Sequence, residues 1–211
     1  MARRTKEDAL ATRHSLLDAA ELLFQDQGVS RTSLNDIARQ AGTSRGAIYW
    51  HFRDKADLFN AMMERVTLPL EQSFQDAGRD THSDPLIRLC GGVRDALLRV
   101  STDPQTRRVF EVATHKVEYV DELQAVRLRH LKARHEFLSQ VERGLQAAAT
   151  WQSVELAMPA ATAAEGLHAI IDGLIQNWLL DSAIFDLVAV GQEVMAVYLR
   201  GLGLRPGGGT R

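Results

Sequence analysis

The sequence predicts an all-α protein of two domains: an amino-terminal helix-turn-helix and a larger helical domain. Three observations lead there. Apolar residues recur at helical spacing through most of the 211 residues. Ala, Leu and Val are abundant while aromatic residues make up 6% of the chain, a balance that favours helix over sheet. Finally, the stretch Ser33 to Lys55, SLNDIARQAGTSRGAIYWHFRDK, places turn residues so that two short helices must cross steeply around a tight turn.

Residues 1–6, MARRTK, are too short and polar to pack. Arg3, Arg4 and Lys6 can act as an arm on phosphate or in a minor groove, or remain a solvated terminus. A first helix is expected over about 7–27, with Leu16, Leu17, Ala20, Leu23 and Phe24 on one face and Gly28 at its end. The next helix starts at Thr32 or Ser33, where a hydroxyl caps free N–H groups and Asp36 adds negative charge to the first turn. Leu34, Ile37, Ala38 and Ala41 form its buried face. Gly42 takes the left-handed position after it, and Thr43 or Ser44 caps the third helix at once.

That third helix, Arg45 to about His51, offers only Ala47, Ile48 and Phe52 to a core. Arg45, Gly46, Tyr49, Trp50 and His51 are left mostly outward, although Trp50 can also be read as a core aromatic. Such a face suits the major groove of DNA. Arg45 can fork onto guanine O6 and N7, Gly46 permits close backbone approach, and Tyr49 offers a ring to a thymine methyl and a hydroxyl to phosphate. His51 and Lys55 reach backbone phosphates. The expected DNA-binding residues are therefore Thr32, Ser33, Thr43, Ser44, Arg45, Gly46, Tyr49, Trp50, His51 and Lys55.

Charge supports this. The chain carries a net −2, yet residues 1–55 hold nine Lys/Arg against seven Asp/Glu, leaving about −4 for the rest.

Asp54 caps a long fourth helix, 55 to about 77, with Leu58, Phe59, Met62 and Val66 toward the first domain and the stripe continuing at Leu70 and Phe74. Pro69 removes the N–H that would reach the Arg65 carbonyl, which predicts a kink or early break and a possible hinge. A polar linker, 78–83, follows. Asp84-Pro85 and Asp103-Pro104 each place an Asp cap before a Pro at the first helical position, so helices begin near 85 and 104. Leu86, Leu89, Cys90, Val93, Ala96, Leu97 and Val100 stripe the first of them.

A longer pattern runs through Val117, Val120, Leu128, Leu131, Leu138, Val141 and Leu145 and predicts one bundle helix of about eight turns. Residues 149–163 are expected as a loop. Two apolar helices follow at about 162–180 and 186–201, and RPGGGTR is expected to be disordered. Because both helices are apolar on more than one face, they are expected to pair with a second copy across a two-fold axis, through Leu174, Trp178, Val190, Val194 and Val197. The expected domains are 1–53 and 54–204, with 205–211 a tail.

The motifs TSLNDIARQAG and RGAIYWHFRDKADLF resemble the DNA-binding domain of TetR-family transcriptional regulators. Together with MARRTKEDALATR they resemble the branch of AcrR-like and TtgR-like repressors of multidrug efflux pumps. Beyond the first sixty residues the resemblance rests on helix layout and on AIIDGLIQNWLL. It implies a mostly apolar ligand cavity between 85 and 181, lined by Leu89, Val93, Phe110, Phe137, Val141, Ile171, Asp172 and Ile175. Plain core packing would account for the apolar members equally well. Asp172 is a carboxylate in an apolar run and has to be satisfied by a partner, a ligand or water.

Other chemistries find little support. Glu111, His115 and Glu118 would share a face if one helix carried all three, and Glu165-x-x-His168 matches one arm of a di-iron bundle where two are needed. His130 and His135, five apart, fall on different sides of a helix. No P-loop, dinucleotide fingerprint or nucleophile elbow occurs, so no enzyme, cofactor or metal is expected. The single Cys90 excludes an internal disulfide framework and accords with a reducing cytoplasm. No apolar run approaches the roughly twenty residues of a membrane span, and the basic start leads into KEDALATR, so a soluble cytoplasmic protein is expected.

The expected function is a ligand-responsive, homodimeric repressor that controls a multidrug efflux operon and leaves a palindromic operator when a hydrophobic or amphipathic inducer binds. The alternative is a helical carrier or sensor of small molecules that binds no operator.

Overall fold

The computed structural model describes residues 2–79, 83–118 and 123–206. Its described residues form helices only: α1 (Ala2–Gln27), α2 (Leu34–Gln40), α3 (Arg45–His51), α4 (Lys55–Arg79), α5 (Pro85–Thr102), α6 (Pro104–His115), α7 (Gln124–Gln152), α8 (Ala160–Leu180) and α9 (Leu187–Gly201). They divide into two compact units, residues 1–67 with 108–131 and residues 68–107 with 132–211. The expected boundary at 53/54 falls inside the first unit.

The core of the first unit is built on α1. Leu16, Leu17, Ala20 and Phe24 are buried there against Ile37 and Ala38 of α2, Ile48 of α3, and Leu58, Phe59 and Met62 of α4. The rings of Phe24 and Phe59 meet at 6.1 Å. Val109 and Val112 of α6, with Leu123 and Val126, join the same cluster.

Glycine ends α1 and α2 for a shared reason: each chain reversal needs a left-handed residue. Gly28 has φ +85° and its N–H returns to the Phe24 carbonyl. Gly42 has φ +67°, and a pair of bonds, Gly42 N–H to Arg39 and Thr43 N–H to Ala38, closes α2.

Polar groups tie this unit together as well. Glu21 is 1% exposed and is held by Arg65 of α4 and by Arg108 of α6 at 3.6 Å, while Arg65 also pairs with Asp18 at 2.8 Å. Farther along, Gln25 donates to Glu111, Ser30 to Glu118, and the Val29 N–H to the Lys116 carbonyl.

The second unit rests on α5, which packs on α9, and on α9, which packs on α8. Two glycines let these helices approach: a Cβ at Gly191 would collide with Leu97 of α5, and one at Gly166 with Tyr198 of α9. Tyr198 completes that contact by donating to the Ala163 carbonyl at 2.9 Å. Asp84, Asp103 and Asp186 accept N–H bonds at the starts of α5, α6 and α9. Hydrogen bonds from the Thr106 side chain hold the Asp103 carboxyl below its ordinary pKa, outweighing the opposing effect of burial.

Several expectations are corrected here. The first helix begins at Ala2, so residues 2–6 are helical rather than a free arm; Lys6 is exposed, and the side chains of Arg3 and Arg4 lie outside the described ones. Helix α4 passes through Pro69 without breaking and runs to Arg79; the side chains of Leu70 and Phe74 lie outside the described ones. The helix expected from Val117 instead starts at Gln124, because α6 ends at His115; Val120 lies outside the described residues. Glu118 therefore sits beyond the helix that carries Glu111 and His115.

Helix α7 also runs on to Gln152, shortening the expected loop to 153–159. Ser153 ends it in a left-handed conformation, φ +52°. Arg205, expected in a disordered tail, exchanges two bonds with the Gln152 side chain; residues 207–211 lie outside the described ones.

Candidate nucleic-acid interface

Two caps present the third helix. Ser33 accepts from the Asp36 N–H and Asp36 accepts from the Ser33 N–H, a reciprocal capping box that fixes the start of α2. The Ser33 hydroxyl, which donates to the Asp36 carboxylate at 2.6 Å, then the Ser33 N–H and Arg39 hold that carboxyl below its ordinary pKa. Ser44 caps α3 by accepting from Ala47 N–H at 3.2 Å. Ile48 is the buried residue of α3, and Phe52, 2% exposed, anchors its end. With one side so fixed, the other is bare.

That bare side carries Arg45, Gly46, Tyr49 and Trp50, all exposed as the sequence predicts. Trp50 is 74% exposed and Tyr49 48%, a large apolar surface to leave in water. Trp50 is thus not a core aromatic. The Arg45 guanidinium lies 5.8 Å from the Tyr49 ring, so one aromatic face steadies the cation at the head of the helix. Trp50 meets His51 edge-on at 4.7 Å. His51 is half-buried, and its pKa is lowered, first by burial and then by the nearby charge of Arg13. Arg13 in turn lies over Phe52 at 5.1 Å.

Beside Tyr49 a polar depression of about 420 Å³ opens between the starts of α2 and α4, reached by Ser33, Asn35, Arg53 and Lys55. Arg31, Asn35 and Arg53 are exposed around it and were not singled out in the sequence. Their signal was proximity: each lies within two residues of one that was.

Two expected contacts are differently employed. Thr32 is 1% exposed; its hydroxyl donates to the Gly28 carbonyl and accepts from Gln27. Lys55 is 7% exposed, and its ammonium donates to the carbonyls of Ser30 and Thr32 at 3.4 and 3.2 Å. A buried cation needs such acceptors. Both residues hold the α1–α2 turn rather than stand free at the surface. Thr43 is half-buried, and Ser33 and Ser44 are exposed with their hydroxyls spent on caps.

Of the residues expected around a ligand, Phe110 lies in the first unit and the others in the second. Leu89, Val93, Val141 and Ile171 are packed in the second unit, Leu89 within van der Waals reach of a Cβ placed at Gly144. Phe137 and Ile175 are half-buried there, with Phe137 edge-on to His168 at 5.6 Å. Phe110 packs instead on the core of the first unit. Asp172 is exposed and accepts from Gln176 one turn on, so it needs no buried partner. Of the expected interface residues, Val194 and Val197 are exposed, and Leu174 and Val190 half-buried. Trp178 is 4% exposed and stacks on Arg107 at 4.6 Å, which removes it from the surface.

Residues 16–62, which contain this helix-turn-helix, match the profile of bacterial regulatory proteins of the tetR family, and residues 84–203 match the C-terminal region of MAATS-type transcriptional repressors. The chain belongs to the TetR family. It is accordingly a transcriptional regulator and not an enzyme. This TetR-family chain is 35% identical over 200 residues to the transcriptional repressor BepR of Brucella suis, spanning 95% of this chain and 96% of that one. Its structure superposes on NalD, the secondary repressor of the MexAB-OprM multidrug efflux pump in Pseudomonas aeruginosa, with TM-score 0.83 and 37% identity, covering 93% and 98% of the two chains. It is also similar to SmeT bound to triclosan, with TM-score 0.80 and 27% identity over 95% and 100%. SmeT is the repressor of the Stenotrophomonas maltophilia efflux pump SmeDEF. No helix among the described residues is long and apolar enough to cross a membrane.

Proposed function

We propose that this regulator is a homodimeric repressor of a multidrug efflux operon, bound to a near-palindromic operator and released by a hydrophobic or amphipathic drug-like inducer. The observation that carries the reading is the capped, exposed α3 face, where Arg45, Tyr49 and Trp50 stand in water on a helix anchored only by Ile48 and Phe52. The relatives named above supply the efflux context, and the triclosan bound to SmeT supplies the inducer class. In this reading two copies pair through α8 and α9, with Val194 and Val197 in the contact, and set their α3 helices in successive major grooves about 34–36 Å apart. The inducer enters the second unit by parting the buried side chains of Leu89, Val93, Val141 and Ile171. A tenfold loss of operator affinity then requires only about 1.4 kcal/mol of differential inducer binding between two conformations.

Fluorescence anisotropy on DNA flanking the gene, with and without cationic and aromatic drugs, tests this directly. Nanomolar, salt-sensitive binding that one compound releases is expected; drug binding without any preference over random DNA would transfer the protein to the carriers. Within that assay Arg45→Ala costs about 1–3 kcal/mol and relaxes preference at one base pair. Lys55→Ala, by loosening the α1–α2 turn, weakens all sequences alike and lowers the unfolding midpoint as well. A Lys55 variant of unchanged stability that loses one unit of salt slope would return that residue to direct phosphate contact.

A further inference from the structure

The second unit carries an opening of about 370 Å³ along α5 and α9, within the size range of small-molecule pockets and lined by none of the residues expected around the inducer. Leu86, Cys90 and Met195 contribute to its mostly apolar wall, and Arg94 and Gln192 supply the polar groups. Gly91 also lines it, and its position is instructive. Glycines 166 and 191 are explained by close helix contacts, whereas a Cβ on Gly91 would meet nothing within 4 Å. A glycine in the middle of a helix lowers its stability, and here no packing requires one. A side chain at Gly91 would instead extend into the groove it lines.

Charge selects the ligand. Arg94 is the ionised group in the lining. Its pairing with Asp95, 2.9 Å away, is between neighbours that are both about half exposed, a weak pair that leaves donors for another anion. The Cys90 thiol is pushed up to about 11 by burial and then by the negative charge of Asp84, so it stays neutral. Asp84, the cap of α5, does not line the groove, so Arg94 is left to set its charge.

We propose that the α5–α9 groove is a second small-molecule site, taking an amphipathic monoanion whose apolar chain lies along Leu86, Cys90 and Met195 and whose charged group meets Arg94. This goes beyond the inducer reading and does not depend on it.

Cys90 is the sole cysteine of the sequence, so its alkylation reports on the groove by itself. The full-length protein is treated with N-ethylmaleimide in the presence of decanoate, decanol or decyltrimethylammonium, all below micellar concentration, and followed by intact mass. Decanoate at saturation slows alkylation about tenfold, with decanol weaker and the cation without effect. Arg94→Gln alkylates at the wild-type rate without ligand and loses the decanoate protection. Gly91→Leu, which fills open space and should fold at least as well by circular dichroism, removes any further effect of decanoate. Failure of decanoate to protect, equal protection by all three compounds, undiminished protection in Arg94→Gln, or protection that persists in Gly91→Leu would each overturn the assignment.

Discussion

The end of α2 in the first unit and the end of α7 in the second are closed by the same two backbone bonds. At α2 they run from Gly42 to Arg39 and from Thr43 to Ala38; at α7, from Ser153 to Thr150 and from Val154 to Ala149. The left-handed residue is glycine in one and serine in the other. The difference teaches where each turn comes from. In the head the turn is local, since glycine accepts a positive φ without cost and Ser44 begins the next helix directly. In the second unit, bonds beyond the turn hold the chain. The Ala157 N–H reaches the Leu202 carbonyl and Gln152 grips Arg205, and serine tolerates a conformation it would not choose.

The two regions also treat charge in opposite ways. Glu21, in an ordinary-looking amphipathic helix, is buried between Arg65 and Arg108. Asp172, in an apolar run, faces water. Helix sidedness accounts for both, because Glu21 shares its face with Leu17 and Phe24 while Asp172 points away from Leu167 and Ile171.

Three substitutions sharpen this comparison. Glu21→Ala has the largest effect: it removes the buried carboxylate that Arg65 and Arg108 share, leaving Arg65 only its pair with Asp18, and costs about 3–5 kcal/mol, read as a fall in the urea midpoint at constant slope. A loss below about 1 kcal/mol would mean the arginines relax to solvent and the cluster is not structural. Ser153→Gly acts in the other direction. Relief of a left-handed serine, about 1–2 kcal/mol, is offset by the greater freedom of unfolded glycine, about 0.4–1 kcal/mol, for a net gain of roughly 0 to 1.6 kcal/mol. A destabilised variant would show that the serine itself, not its tethers, shapes the turn. Asp172→Ala has the smallest effect, within about 0.5 kcal/mol by the same urea titration. A cost of about 2 kcal/mol or more would restore it as a buried, partnered carboxylate.

What sequence alone determined is the head and the helix starts. Ser33, Gly42, Ser44, Asp84 and Asp103 act through bonds a few residues long, and the outward set Arg45, Gly46, Tyr49 and Trp50 follows from a short helix with only one side to bury. Local chemistry of that kind is written in adjacent letters. Tertiary structure decided the rest: the break between α6 and α7, the extension of α7 to Gln152, the burial of Lys55 under the Ser30 and Thr32 carbonyls, and the turning of Trp178 inward onto Arg107. Each depends on a partner distant in sequence or on which side of a helix meets another. An apolar stripe shows that a face will be covered, and only the packed chain chooses by what.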